Sequence, residues 1–144
     1  MRNMDRQQKY IKRLADEWIE YGKIIIAVDY DDTISPWRLS NERDCKEVID
    51  ILIQARREGA FIVVNTACNP DRFEEIKSYC SSYGLEIDSI NSNPINLPYG
   101  MHGKVYANIY IDDRADLWGG LDILKAAMYW KRGFDASQDL DEIA

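Results

Sequence analysis

A chain of 144 residues, 46% apolar and 30% charged, is long enough for one buried core and has the composition of a folded protein rather than a disordered one. Its net charge of −7 opposes non-specific nucleic-acid binding, which rests on Lys and Arg neutralising phosphates. No apolar run approaches the roughly 18 residues that span a bilayer, and the charged start MRNMDRQQKYIKRLADEW lacks the apolar stretch of a secretory signal, so the expectation is a cytoplasmic protein without a membrane partner.

The first element reads as an amphipathic helix over residues 1–22, with Ile11, Leu14, Trp18 and Tyr21 at steps of three and four and Gly22 to end it. It carries Arg2, Arg6, Lys9, Lys12 and Arg13, against an acidic tail of Asp135, Asp139, Asp141 and Glu142. Two roles stand for this helix: covering a sheet face, or making an oligomer contact. Residues 23–144 then form one α/β unit, so the chain is a single domain. KIIIAVD is a β-branched run of the kind found in strands buried on both faces.

A helix follows from about Asn41 to Glu58, with Cys45, Val48, Ile49 and Leu52 inward and Gly59 as a left-handed stop. FIVVNT is a second buried strand. Asn69 and Pro70 offer a side-chain cap and a proline at the start of a helix that turns Phe73, Ile76 and Cys80 inward and stops at Gly84. LEIDSI is a weaker strand and is followed by a loop rich in Asn, Pro and Gly. VYANIYID re-enters the sheet, and the last helix carries Leu121, Leu124 and Met128 on one face. Strands alternating with helices imply a Rossmann-like three-layer α/β/α fold around a parallel sheet.

In such sheets ligands bind beyond the carboxyl ends of the strands, and there the polar residues collect. Asp29, Tyr30, Asp31, Asp32 and Thr33 follow IIIAV, Thr66 follows FIVVN, and Asp112 and Asp113 follow ANIYI. Residues two apart in extended chain face the same side, so Asp29 and Asp31 are able to converge. Close carboxylates are costly without a proton or cation. Several at one sheet edge make a hard oxygen site that suits Mg²⁺ better than zinc, and His102, the sole histidine, cannot supply a zinc set. Asp112, Asp113 and Asp116 all remain open as ligands. Cys45, Cys68 and Cys80 fit no metal-ligand spacing and read as reduced thiols.

Together IIAVDYDDT, FIVVNT, the Lys of GMHGK and YIDD, in order and at strand ends, resemble the haloacid dehalogenase superfamily over about Lys23 to Leu124. That resemblance implies a Mg²⁺-dependent phosphomonoesterase. Asp29 would be the nucleophile and Asp31 the general acid and base. Thr66 and Lys104 would hold phosphoryl oxygens, and Thr33 would support the loop. The metal would be held by Asp29, the Asp31 carbonyl and Asp112, with Asp113 as the next choice. Lys77 competes with Lys104 but reads as outward-facing on its helix.

By that resemblance, members that dehalogenate or cleave phosphonates lack the acid at the Asp31 position, so transfer of phosphate to water is favoured. The intervals between motifs leave no room for a substantial cap domain. Specificity then falls to the flap SPWRLS with Trp37 and Arg38, to Arg72, and to the loop around Asn91 to His102. A small phosphorylated metabolite or nucleotide is the expected substrate. A nucleic-acid end, kept open by the basic first helix, and a non-catalytic binding module on the same fold are the alternatives.

Overall fold

The computed structural model describes residues 2–97 and 103–143. Four strands, β1 (Ile24–Val28), β2 (Ala60–Val64), β3 (Ser89–Ile90) and β4 (Ile109–Ile111), lie in the order β3-β2-β1-β4, and every pairing is parallel. The helices are α1 (Arg2–Tyr21), α2 (Glu42–Arg57), α3 (Phe73–Ser82) and α4 (Leu117–Ile143). The expected α/β class, parallel sheet and lack of a large cap all hold. Among the described residues no helix is long and apolar enough to cross a membrane.

Alternation along the strands sends side chains to two faces. Ile24, Ile26 and Val28 of β1, with Ala60, Ile62 and Val64 of β2, join the main core beneath the helices. Leu14, Ala15 and Trp18 of α1 are buried in that core, so this helix covers the sheet face. The indole N–H of Trp18 also donates to the Glu58 carbonyl at 2.8 Å, tying α1 to the end of α2. Tyr21, expected on the buried stripe, is exposed instead, because the chain leaves the helix at Gly22 in a left-handed turn (φ 72°).

The opposite face is covered differently. Ile25, Ala27 and Val63 pack under Val105 and Ala107, flanked by half-buried Phe61, Ile95, Leu97 and Tyr106. The crossover from β3 to β4 thus covers this face as extended chain, with no helix among its described residues. Right-handed crossovers send this connection to the second face because β4 lies on the far side of β1 from β2.

Local sequence sets the boundaries. Asn41 caps α2, its side chain accepting the Asp44 N–H at 2.8 Å. Gly59, at φ +100°, stops α2 where a Cβ would come within 2.5 Å of the Gly22 carbonyl, so only glycine lets the two bottom turns approach. Asn69, expected to cap α3, makes no side-chain cap. Pro70–Arg72 form a 3₁₀ turn instead, and α3 begins from it.

β3 and β4 are shorter than LEIDSI and VYANIYID suggest, for a shared reason. Asp88 Oδ2 accepts the Ile62 N–H at 2.7 Å, and Asn108 Oδ1 accepts the Ile25 N–H at 2.7 Å. In both cases a side chain replaces the backbone carbonyl that would have continued the ladder.

Candidate active site

The strand order reverses at β1, which has β2 on one side and β4 on the other, and it is at such a switch point that the sheet ends open into a crevice. Val28 pairs with Ile111 in register, and the Asp29 N–H donates to the Ile111 carbonyl at 2.9 Å. Asp29 is therefore fixed beside the acidic pair that follows β4. The Tyr30 carbonyl accepts the N–H groups of Thr33, Ile34 and Ser35, folding the chain sharply after the strand.

Thr33 is fully buried between the two strand ends. Its hydroxyl lies 3.2 Å from Asp29 Oδ2 and 3.4 Å from Asp113 Oδ1, and accepts the Asp113 N–H at 3.2 Å. One hydroxyl proton serves one carboxylate at a time, so Thr33 orients the pair without neutralising it.

Asp29, Asp112 and Asp113 each bring a carboxylate oxygen within 4.8 Å of the others, and all three are half-buried. Burial pushes the Asp29 carboxyl up to about 7. The hydrogen bond with Asp113 and the charges of Asp112 and Asp113 push the same way, and Thr33 opposes them. Three carboxylate oxygens this close are a donor set that could hold a hard divalent cation such as Mg²⁺. The Asp31 side chain lies outside this triad. Asp116, left open as a ligand, is excluded from it too. Its carboxylate accepts the Gly119 N–H at the start of α4, and a side chain at position 119 would collide with it.

A cleft of about 320 Å³ adjoins the triad, lined by Asp29, Asp31, Asp32, Trp37, Thr66, Ala67, Cys68, Arg72, Asp113 and Arg114. Arg72 Nη1 lies 3.4 Å from Asp31 Oδ2. The Thr66 hydroxyl accepts the Cys68 N–H at 3.3 Å, which leaves its own proton free to donate. Asn91 holds this strand end, accepting the Thr66 N–H and donating to the Thr66 carbonyl, each at 2.7 Å. Trp37 is 59% exposed at the cleft, and the Arg38 guanidinium lies 4.1 Å over its ring.

Lys104 departs from expectation. It does not line the cleft, and its ammonium sits 5.0 Å over the Tyr110 ring on an exposed stretch of the crossover. The crossover carries it across the second sheet face, and no helix among its described residues aims it at the strand ends. Lys77 pairs with Glu74 on the outside of α3, as expected. His102 lies outside the described residues.

One contributor escaped the sequence reading, and two others were named there without the role the structure gives them. Arg114 lines the cleft and forms no ion pair among the described residues. Asn91, expected as the start of a specificity loop, sits at the end of β3 and holds the neighbouring strand end at Thr66. Asp32, at φ 63°, accepts the N–H groups of Trp37, Arg38, Leu39 and Ser40 on Oδ1 at 2.9–3.1 Å. Burial raises its carboxyl, but the four donors outweigh it and bring the group down to about 2.

The chain matches no family model and no curated protein. Among solved structures it is similar to a conserved protein from Bacteroides thetaiotaomicron, at 25% identity and a TM-score of 0.55, over 65% of this chain and 78% of that one. That likeness supports the α/β architecture.

Proposed function

We propose that this chain is a capless, haloacid dehalogenase-like phosphomonoesterase that depends on Mg²⁺ and uses Asp29 as its nucleophile. The observation that carries the reading is the meeting of Asp29 with Asp112 and Asp113 at the ends of two adjacent parallel strands, beside a cleft that Asp29 and Asp113 line together with Asp31 and Thr66. A stability role explains it poorly, since three close carboxylates repel one another.

In this reading an Asp29 oxygen attacks phosphorus while the ester P–O bond breaks, its electron pair leaving with the alcohol oxygen. Asp31 protonates that oxygen, and an aspartyl-phosphate forms on Asp29. A water then attacks phosphorus, Asp31 takes its proton, and Asp29 is released with phosphate. The Arg72 contact orients the Asp31 carboxylate. Thr66 donates its free hydroxyl proton to a phosphoryl oxygen, and Arg114 supplies the positive charge that Lys104 does not bring to the cleft.

Asp29, Asp112 and Asp113, with the Asp31 carbonyl, would hold the cation. When bound, the ion offsets the carboxylate charge and that of the phosphoryl group. Thr33 keeps one Asp29 oxygen directed toward Asp113.

Hydrolysis of an aryl phosphate, with and without Mg²⁺, tests the reading. Turnover should need the cation and vanish in Asp29→Asn. Failure of wild-type protein both to turn over any ester and to bind beryllofluoride with Mg²⁺ would sink it.

A further inference from the structure

Trp37 stands 59% exposed, yet it is not on a loose loop. The four N–H groups of residues 37–40 converge on one oxygen of Asp32, whose own N–H donates to the Ser35 carbonyl at 2.7 Å. The flap is thus pinned from the same turn that carries Asp29 and Asp31. Arg38 covers one face of the indole at 4.1 Å, and the ring lines the cleft that holds the reacting carboxylates. A rigid, solvent-facing ring beside a phosphate site is a platform prepared for a flat partner.

The chemistry of Asp31 narrows that partner. An acid aimed at the leaving oxygen is worth most when that oxygen is an alkoxide, because a phenolate departs readily without a proton. The flat group is therefore separated from the phosphate by an aliphatic alcohol carbon. A sugar phosphate alone supplies the alkoxide but no ring. A nucleotide supplies both. The cleft of about 320 Å³ lies at the small end for ligand sites, enough for the phosphate and adjoining sugar, with the base outside on the rim.

We infer that the substrate is a nucleoside phosphate monoester whose base stacks on Trp37, with Arg38 backing the ring. This rests on the phosphatase reading for its chemistry, but the stacking is measurable without turnover. Base–aromatic stacking contributes enough for roughly a tenfold preference or more. The base has two possible sources, a free mononucleotide or the phosphorylated end of a strand, and both present the same ring.

The experiment compares kcat/KM for a nucleoside 5′-monophosphate, ribose 5-phosphate and short 5′- and 3′-phosphorylated oligonucleotides, in wild type, Trp37→Ala and Trp37→Phe. Wild type should prefer the nucleotide over ribose 5-phosphate by roughly tenfold or more. Trp37→Ala should bring that ratio toward one, and Trp37→Phe should keep much of it. Equal use of ribose 5-phosphate by wild type, or a preference that survives Trp37→Ala, overturns the inference.

The oligonucleotide arms identify the source. In parallel, nucleoside monophosphate is titrated into Asp29→Asn protein while tryptophan emission is followed. Quenching that is lost in Asp29→Asn/Trp37→Phe supports stacking even if no ester is hydrolysed, in which case only the phosphatase reading fails. No quenching and no nucleotide preference overturns the stacking alone.

Discussion

Replacing Asp32 by Asn keeps the side-chain shape and suits the left-handed backbone at φ 63°, so the change removes charge and little else. At neutral pH the ionised Oδ1 accepts four N–H groups from residues 37–40. The depression of this carboxyl from 3.8 to about 2 caps the worth of that charge at about 2.4 kcal/mol. Trp37, Arg38 and Leu39 are exposed, so water competes for their N–H groups once the charge is gone, leaving about 1–2 kcal/mol. Urea unfolding of both proteins in EDTA, from pH 7 down to 2, measures it. A group whose folded pKa is depressed contributes stability above its unfolded value, lost as pH falls through the folded one. The gap between wild type and Asp32→Asn should therefore be full at pH 7, shrink below about pH 4 and close near pH 2. An equal gap at all pH values, or none at pH 7, would refute the role given to the carboxylate.

Free Mg²⁺ at about ten times its Kd should raise the melting temperature by roughly 3–6 °C. Asp113→Asn should raise the metal-free melting temperature by relieving repulsion yet lose that response; a scan in chelator and in Mg²⁺ reads both. Thr33→Val, which keeps volume but removes the hydroxyl between Asp29 and Asp113, should cost about 1–2 kcal/mol in urea unfolding. The same change should cut kcat about tenfold or more; unaltered kcat would remove Thr33 from the site. Burial pushes the Cys80 thiol from 9.0 up to about 11, so its contribution is complete below pH 9 and lost as pH rises toward 11. Unfolding midpoints should fall over that range and fall less steeply in Cys80→Ala; above pH 10 buried Tyr30 and half-buried Tyr79, both pushed to about 12, add in the same direction.

What was legible in the sequence follows from burial. β1 and β2 are covered on both faces, and such strands must be continuous β-branched runs, as IIIAV and FIVV are. The parallel arrangement then places every strand exit at one edge, which is why Asp29, Asp31, Thr66, Asp112 and Asp113 could be named before any geometry. β3 and β4 were overdrawn because Asp88 and Asn108 substitute side-chain oxygens for strand carbonyls, a choice no periodicity records. Long cations were hardest. Whether Lys104 or Arg114 reaches the cleft depends on the path of a loop, and loop paths are set by packing that Ile95 and Leu97 reveal only once placed.

Asp32 shows how a structural residue and the candidate site residues share one sequence. In DYDDT the first and second Asp point to the site, whereas the third turns back to bind the flap, and the positive φ at Asp32 makes that reversal possible. The Ser40 hydroxyl also accepts from the Cys45 thiol at 3.4 Å, which ties the far end of the flap to α2. The same short loop therefore positions the carboxylates at one end and the exposed indole at the other. Their spacing is set by one turn, so under the proposed function the ester bond and the group it carries would meet a single rigid unit.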